Sequence, residues 1–264
     1  MNITILVTTM HQTDLLKYKS MNLQTDAVIA NQAERNEIVE ETIDGHNVRF
    51  VSTNTRGLSR NRNIAMAHFG QNTDIVVFSD DDLVFDDGYA DLIENEFIAH
   101  PEAEAIKFNL HDLSATRKIS MKRIERFEKA TRRNMSSSGV CGLAIKTAAL
   151  KKCNLKFNER FGAGTEHFCG EDTIFLMNMI DRGVRFYRSP IDIAGIDQTT
   201  SSWFTGFDKK YFETTGMVID SIYPAISKMI VLRSAYKFSK RVDCEMSFPD
   251  ILKSYYKGIR ENRK

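Results

Sequence analysis

The sequence has few cysteines, few prolines and no long hydrophobic run. Its 264 residues include four cysteines and four prolines. No Cys-x-x-Cys pair and no accompanying histidine pattern is present. We therefore interpret the cysteines as reduced intracellular thiols and expect neither a zinc site nor a disulfide framework. The most apolar long segment, residues 217–232, is interrupted by Asp220, Pro224 and Lys228, so we expect no membrane-spanning helix.

The chain also lacks an excess of either charge and a targeting segment. Its 36 Lys and Arg residues balance 35 Asp and Glu residues, and the formal net charge of +1 argues against nucleic acid as a partner. The first seven residues have no basic region and too short an apolar stretch for a signal peptide, so we expect a cytoplasmic protein that begins with a strand. Residues 225–264, by contrast, hold ten basic and four acidic residues.

Apolar segments alternate with helical patterns along most of the chain, which is typical of a mostly parallel sheet flanked by helices. We predict strands at residues 3–7, 26–30, 48–52, 75–78, 105–110 and 185–187. We predict helices at residues 15–23, 34–42, 64–69, 89–100, 116–133, 147–153 and 173–182, and a turn at Asp44-Gly45.

The predicted strand at residues 75–78 leads into three carboxylates, Asp80, Asp81 and Asp82. An unbroken apolar run fits a strand buried on both faces, which ends at the carboxyl edge of the sheet, where open α/β folds bind ligands. Adjacent Asp side chains repel one another, and a hard divalent cation would relieve that repulsion. An acidic turn or a helix N-terminus is the alternative interpretation.

A second acidic motif, Glu171-Asp172, follows Gly170 at the start of the predicted helix at residues 173–182. Acidic residues in a first helical turn are favoured by the helix dipole, so helix capping is the alternative to a catalytic role. The nearby loop at residues 161–165 is too short for a dinucleotide-binding fingerprint.

In their order along the chain, these motifs resemble those of the family 2 glycosyltransferases of the GT-A fold, in particular bacterial capsule and cell-wall polysaccharide enzymes. The resemblance rests on the strand end at Thr8-Thr9, the segment at residues 57–61 beside the family's G-x-x-x-R-N, the D-x-D-type triplet and the E-D pair. It implies a GT-A (Rossmann-like) nucleotide-sugar-binding and catalytic domain at residues 1–216, with a helical extension at residues 217–264.

The resemblance implies a nucleotide-sugar donor at the carboxyl edge of the sheet. The implied donor contacts are Thr8, Thr9, Asn31, Gln32, Arg60, Asp80 and Asp81. Many family members have an Asp where this chain has Asn31-Gln32, which leaves the base contact open. An amide both donates and accepts hydrogen bonds, so uracil and a UDP-sugar fit. Arg62 is an alternative partner for phosphate.

The resemblance also implies an inverting, metal-dependent sugar transfer. Asp80 and Asp82 are the expected ligands of Mn²⁺ or Mg²⁺, which would act as a Lewis acid on the diphosphate. Asp172 is the expected general base, and Glu171 an auxiliary carboxylate that positions the acceptor. The expected acceptor is a hydroxyl of a glycan or of a lipid-linked molecule.

Two further residues are candidate contacts to a sugar. Gly164 would let the backbone approach the donor or acceptor closely. Trp203, the only tryptophan, would stack on a sugar face, and packing in the core is an equal alternative for it.

The basic C-terminal segment alternates aromatic and basic side chains. The aromatics are Tyr236, Phe238, Phe248, Tyr255 and Tyr256. This pattern suits an anionic membrane surface, which would place the protein at the inner face of the plasma membrane, or a solvated tail.

Two other functions are compatible with an acidic cluster on an α/β sheet. A sugar nucleotidyltransferase needs a glycine-rich, basic phosphate loop after the first strand, and residues 8–11 do not provide one. A module that binds nucleotide sugars or glycans without turnover would not need intact carboxylates at both motifs.

Overall fold

Strand β5 (Ile75–Asp80) lies near the middle of the sheet, as its apolar run predicts. The computed structural model describes residues 1–113, 123–197 and 206–264. Strand β5 pairs in parallel with strand β1 (Ile3–Met10) and antiparallel with strand β9 (Leu143–Lys146). It therefore delivers Asp80 to the same sheet edge at which β1 ends.

The two faces of β5 enter two separate hydrophobic clusters, because successive side chains of a strand point to opposite faces. Val76 and Phe78 belong to one cluster, and Ile75 and Val77 belong to the other. All four side chains are at most 1% exposed. Burial on both faces explains why this segment has no polar alternation.

Within the described residues, ten strands form one sheet. They are β1, β2 (Asp26–Gln32), β3 (Glu37–Ile43), β4 (His46–Thr53), β5, β6 (Leu83–Phe85), β7 (Ala105–Asp112), β8 (Glu128–Lys129), β9 and β10 (Phe186–Ile196). Nine of them lie in the order β3-β4-β2-β1-β5-β9-β7-β10-β6, and β8 pairs with β10. Strands β1, β2, β4, β5, β7 and β10 run in one direction and the other four run in the opposite direction.

Helices cover both faces of this sheet. They are α1 (Leu16–Ser20), α2 (Leu58–Ala67), α3 (Tyr89–Ala99), α4 (Arg132–Met135), α5 (Thr147–Lys152), α6 (Glu171–Asp181), α7 (Lys209–Ile222), α8 (Ser227–Phe238) and α9 (Phe248–Asn262). Helices α1 and α3 pack into one face cluster, and α2, α5, α6 and α7 pack into the other. The predicted α/β fold with a mostly parallel sheet is confirmed.

The helix predicted at residues 34–42 is wrong, because residues 37–43 form edge strand β3. It pairs antiparallel with β4 through the two-residue turn Asp44-Gly45, whose φ values are 51° and 85°. Two positive φ values match the twist of a hairpin. The β-branched residues on both sides of Asp44-Gly45 were the sequence signal for this hairpin.

The basic helix predicted at residues 116–133 is wrong for residues 123–131, whereas residues 132–133 begin α4. Residues 114–122 lie outside the described residues. Glu128 and Lys129 pair with β10 as strand β8. Phe127 stacks on Tyr187 and on His100, with ring centroids 5.2 and 3.5 Å apart. The aromatic contacts and the pairing with β10 override the helical charge pattern.

The C-terminal helices form a third hydrophobic cluster, in which α7 and α9 approach closely. A methyl group on Gly258 would collide with the backbone carbonyl of Glu213, and one on Gly216 would lie 2.5 Å from the carbonyl oxygen of Tyr255. Phe212 and Tyr255 fill the interior of this cluster at 0% exposure. The two glycines therefore set the distance between α7 and α9.

We predict that Gly258→Ala lowers the free energy of unfolding by about 1–3 kcal/mol, because the added methyl must push α9 away from α7. Alanine stabilises a helix by about 1 kcal/mol relative to glycine. A measured loss of folding stability is therefore the steric cost left after this gain. Urea unfolding followed by circular dichroism measures the change. Arg260→Ala, on the exposed side of α9, is the matched control and should change stability little. A G258A protein as stable as the control would contradict the close packing.

Candidate active site

Polar residues from three neighbouring strands meet at the carboxyl edge of the sheet. Thr8 of β1 lies beside Asp80 of β5, and Thr9 lies beside Asn31 of β2. The Thr8 hydroxyl donates to Asp80 Oδ1 at 2.7 Å, and the Thr9 hydroxyl donates to Asp81 Oδ2. Parallel pairing thus places residues that are far apart in sequence along one edge.

Arg62 of α2 joins the two acidic motifs. Its Nη2 donates to both carboxylate oxygens of Asp80 at 3.2 Å, and its Nη1 donates to Asp172 Oδ1 and lies 3.7 Å from Glu171 Oε1. The Arg62 side chain is 3% exposed, and its guanidinium lies 5.2 Å from the ring centre of Phe157. Asp80 of the acidic triplet and the Glu171-Asp172 pair therefore border one cavity.

The start of α2 positions Arg62. Gly57, at φ 111°, donates its N–H to Gln32 Oε1 at 2.8 Å, and the N–H of Leu58 donates to the carbonyl of Ala163 at 2.9 Å. Asn61, which precedes Arg62, donates to the carbonyls of Thr9 and Ala30, at 3.2 and 2.8 Å. These bonds tie the helix to the ends of β1 and β2.

Asp172 and Glu171 occupy the first turn of α6. Asp172 Oδ2 accepts the backbone N–H of Val140 at 3.1 Å, while its other oxygen accepts from Arg62. Glu171 lies next to Gly162, where a Cβ atom would be 3.3 Å from the Glu171 carboxyl carbon. Contacts from outside α6 therefore fix both carboxylates, which simple helix capping would not require.

The charges around Arg62 shift the pKa values of its partners. Burial lowers the pKa of Arg62, but the carboxylates of Asp172 and Asp80 outweigh it and hold the pKa well above its ordinary value. Burial opposes ionisation of Asp80, yet the charge of Arg62 and hydrogen bonds from Thr8 and Cys141 keep its pKa low. Burial, followed by the charge of Asp172, raises the pKa of Glu171 to about 7.

Asp82 differs from the other two carboxylates of the triplet. No neighbouring side chain of the described residues donates a hydrogen bond to its carboxylate. Partial desolvation and then the charges of Asp80 and Asp81 raise its pKa to about 6. A carboxylate that lies beside other carboxylates and has no cationic partner of its own is a suitable ligand for a hard cation.

The residues present fit a divalent cation only together with a bound phosphate. Among residues 1–113, 123–197 and 206–264, no three His, Cys, Asp or Glu side chains are arranged to hold an ion. Within these residues the Asp82 carboxylate accepts no side-chain hydrogen bond, whereas Asp80 is engaged by Arg62 and Thr8. Mg²⁺ characteristically binds one or two carboxylates and completes its shell with phosphate and water. A nucleotide diphosphate would supply those missing ligands.

Asn31 and Gln32, the predicted base contacts, are committed to bonds within the protein. Asn31 is 0% exposed and bonds through its amide to the backbone of Gln12 and to Ser52. Gln32 accepts from Gly57. The Asn31 amide and the Gln32 side-chain oxygen organise the carboxyl edge, and a base contact through any of these atoms would replace an existing bond.

Three other predicted residues have separate surroundings. Arg60 is exposed and donates to Glu159 at 2.9 Å, so the arginine that contacts the acidic motifs is Arg62. Gly164 packs its backbone against Gly57, where a Cβ atom would lie 3.5 Å from the Gly57 nitrogen. Trp203 lies outside the described residues.

A cavity of about 740 Å³ extends from Arg62 and Asp80 past the start of α6 to α7. The loop at residues 136–139 lines one side of it, and apolar side chains of α7, including Val218 and Ile222, line another. Asp172 and Glu171 both border this space. The cavity therefore offers room for a second substrate beside the carboxylates.

Sequence reasoning missed the side chains that support the cleft from below. Lys107 donates to the carbonyls of Cys141 and Phe108, at 2.5 and 3.0 Å, and holds the segment that presents the N–H of Val140 to Asp172. Burial lowers the pKa of Lys107 to about 8. No local pattern indicates this role. Arg62 was missed as a structural residue because the predicted helix began at residue 64.

We predict that Arg62→Met lowers the free energy of unfolding by about 3 kcal/mol, because it leaves partly buried carboxylates without their cation. Urea unfolding measures the loss. Arg60→Met, on the same helix but in an exposed ion pair, should lose less than about 1 kcal/mol. Adding Asp80→Asn to R62M should lower the free energy of unfolding by less than the same change does in the parent protein. Equal losses for R62M and R60M would contradict the role of Arg62.

We predict that Glu171→Gln raises the free energy of unfolding above that of the parent, and that this gain is larger at pH 8 than at pH 5. Because the folded pKa of Glu171 is raised, the parent loses stability as the pH rises from the unfolded pKa near 4.5 to the folded pKa of about 7. Glutamine does not ionise, so the variant does not have this loss. The relative gain should be on the order of 1–3 kcal/mol. Denaturant unfolding at both pH values tests it, with exposed Glu41→Gln as the control. A gain independent of pH would show that Glu171 ionises normally.

No protein-family model matches the chain, and no curated protein matches it. Solved structures do match. The structure of S. aureus TarS 1–349 in complex with UDP-GlcNAc is 14% identical, with a TM-score of 0.66, and the match covers 98% of this chain and 82% of that one. A second structure of TarS 1–349 gives 15% identity, a TM-score of 0.64, and coverage of 99% and 82%.

A further match is the complex of S. aureus TarS 1–349 with UDP. It is 14% identical, with a TM-score of 0.60, and covers 92% of this chain and 73% of that one. At these identities the likeness establishes the fold. The chain therefore has the GT-A fold predicted from its motifs, and it shares this fold with S. aureus TarS.

Proposed function

We propose that this protein is an inverting, metal-dependent glycosyltransferase. It would move a sugar from a nucleotide diphosphate, most simply a UDP-sugar, to a hydroxyl of a glycan or lipid-linked acceptor in the synthesis of a surface polysaccharide. The observation that carries the proposal is the position of Arg62, which bonds both Asp80 of the acidic triplet and Asp172 at one cavity. Two acidic sites with different duties, donor and acceptor, would need this proximity.

The shared fold and the motifs support the choice of donor. The TarS structures hold UDP-GlcNAc and UDP. In this chain, the D-x-D-type triplet lies at the carboxyl edge beside Thr8 and Thr9. Open α/β sheets bind nucleotides at this edge.

The chain's own side chains account for the proton transfer. Asp172 would accept the proton of the acceptor hydroxyl as that oxygen attacks the anomeric carbon. The bond from the anomeric carbon to the diphosphate breaks in the same step, and its electron pair leaves with the nucleotide. A single displacement with one base and no protein nucleophile inverts the anomeric carbon. Arg62 and the N–H of Val140 fix Asp172 for this role.

Glu171 would position the acceptor beside Asp172. Its side chain is 12% exposed and borders the same cavity. With a pKa of about 7, it is partly protonated near neutral pH. It can therefore donate a hydrogen bond to a hydroxyl when protonated or accept one from it when ionised.

Asp82, together with Asp80, would hold Mn²⁺ or Mg²⁺ when a donor is present. A bound divalent cation supplies positive charge for the departing diphosphate. Asp81 would contact the donor, and the hydroxyl of Thr9 and the Nζ of Lys17, at 3.9 Å, hold its carboxylate in place.

We predict that Asp172→Asn lowers turnover by about 10²–10⁴-fold and leaves donor binding nearly unchanged, because it removes only the base. Asp82→Asn should weaken binding of the donor with Mn²⁺ and abolish the thermal stabilisation that the two give together. The measurements are nucleotide release and thermal shift with a panel of nucleotide sugars, with and without a chelator. Asp91→Asn, at an exposed position of α3, is the control.

The reaction products separate the alternatives. Anomeric inversion in the product, detected by NMR, and nucleoside diphosphate release support the proposal. Release of pyrophosphate would identify a nucleotidyltransferase. Tight donor binding without release would identify a binding module. Turnover by D172N equal to that of the D91N control would remove Asp172 from its role.

A further inference from the structure

Helix α8 carries apolar residues on two opposite faces. Its inner face, with Ser227, Val231 and Ala235, is buried against the C-terminal cluster. Met229, Leu232 and Tyr236 lie on the opposite side, and they are 72%, 47% and 62% exposed. Their spacing of three and four residues makes one continuous outward stripe. A helix packed into a protein on one face alone would not need it.

Basic residues flank this outward stripe on both sides. At 100° per residue, Lys228 lies along one border and Arg233 and Lys237 lie along the other. Helix α8 contains no Asp or Glu. The stripe therefore forms the centre of a surface whose rim is cationic, as in helices that lie in a membrane interface.

Helix α9 extends the same surface. Tyr256 and Arg260 line a groove of about 440 Å³ together with Lys228 of α8. Phe248, at the start of α9, borders a second groove of about 430 Å³ with Leu232 and Tyr236. We call the outward stripe, its basic rim and these two grooves the α8–α9 face.

Most cations of this face have no carboxylate partner in the part of the chain that the structure describes. Those without an ion pair are Lys228, Arg233, Lys237 and Arg260. Arg263, which borders the first groove, pairs with Asp220. Net positive charge thus remains on the face after all local pairing.

The structure also corrects the residues expected at such a surface. Tyr255 is 0% exposed, and Phe238 packs against Phe207 and Phe212, with ring centroids 5.0 and 5.3 Å apart. These aromatics belong to the interior of the C-terminal cluster. Most exposed apolar groups of the face come from α8, and Tyr256 of α9, which is 36% exposed, adds to them.

We propose that the α8–α9 face docks the protein on an anionic lipid bilayer. The apolar stripe would enter the interface, and the basic rim would contact anionic headgroups. A second copy of this chain fits less well, because it would bring two cationic rims together. No helix in residues 1–113, 123–197 and 206–264 is long and apolar enough to cross a bilayer, so the contact is with its surface.

The face begins a few residues along the chain from the cavity lining. Tyr223 lines the cavity at the end of α7, and Ile226, 49% exposed, lies three residues later at the start of α8. Docking through α8 would bring that end of the cavity close to the lipid surface. The docking itself does not depend on the proposed sugar transfer, since it requires only the lipid contact.

The test is flotation of the full chain with vesicles of phosphatidylcholine alone or with about 30% phosphatidylglycerol, a content that gives a surface potential able to attract basic residues. The parent should bind the anionic vesicles and not the neutral ones. Binding should weaken between about 0.1 and about 0.5 M salt, because salt screens exposed charges.

Two variants test the two parts of the face. The triple variant Lys228→Gln, Arg233→Gln, Lys237→Gln should bind about 100-fold more weakly, since each basic residue contributes roughly five-fold. The double variant Met229→Gln, Leu232→Gln should also lose binding although its charge is unchanged. The matched control, Lys19→Gln, Lys151→Gln, Lys156→Gln, removes the same charge from exposed sites elsewhere and should bind as the parent does.

Circular dichroism and thermal unfolding show that each variant is folded. Equal binding to neutral vesicles, absence of binding, or an equal loss in the control variant would overturn the proposal. A dimer in analytical ultracentrifugation that M229Q/L232Q disrupts, without vesicle binding, would instead assign the face to a second copy. Binding can be retained when sugar transfer is absent, so the two proposals fail independently.

Discussion

The candidate site depends on one buried guanidinium. Arg62 lies at 3% exposure between Asp80 and Asp172, which are 92 positions apart in the sequence. Without a cation, these carboxylates and Glu171 would repel one another and pay a large desolvation penalty. With it, Asp80 and Asp172 can both lie against the same guanidinium. The proposed division between donor and acceptor carboxylates is physically possible because of this single side chain.

The sheet supplies the rest of the geometry. Parallel pairing of β1 with β2 and β5 places Thr8, Thr9 and Asp80 on one edge. Strand β9 is antiparallel to β5 and therefore begins at this edge, so Val140, just before β9, can donate its N–H to Asp172. Lys107 holds the segment before β9 in place by donating hydrogen bonds to the carbonyls of Phe108 and Cys141. The raised pKa of Glu171 follows from its burial and from the neighbouring charge of Asp172. Holding the two carboxylates close together therefore costs folding stability near neutral pH.

The C-terminal helices combine two tasks that are separated by helix face. One face of α8 packs with α9 and α7, whose close approach is set by Gly216 and Gly258. The opposite face of α8 holds the apolar stripe and basic rim. A sequence pattern that counts aromatics and charges cannot distinguish these faces, since Tyr255 is interior and Tyr236 is exposed.

The sequence by itself determined the α/β class, the strand that ends in Asp80, and the helix that begins at Glu171, because buried runs and helix starts are local features. It also contained the hairpin at Asp44-Gly45, although the charged residues of β3 suggested a helix. The tertiary structure alone decided that Arg62, and not Arg60, contacts the acidic motifs, and that Asn31 is satisfied internally. The reason is that the rotation of a helix about its axis decides which of its side chains face a cleft. For α2, contacts with residues about a hundred positions away in the sequence fix that rotation.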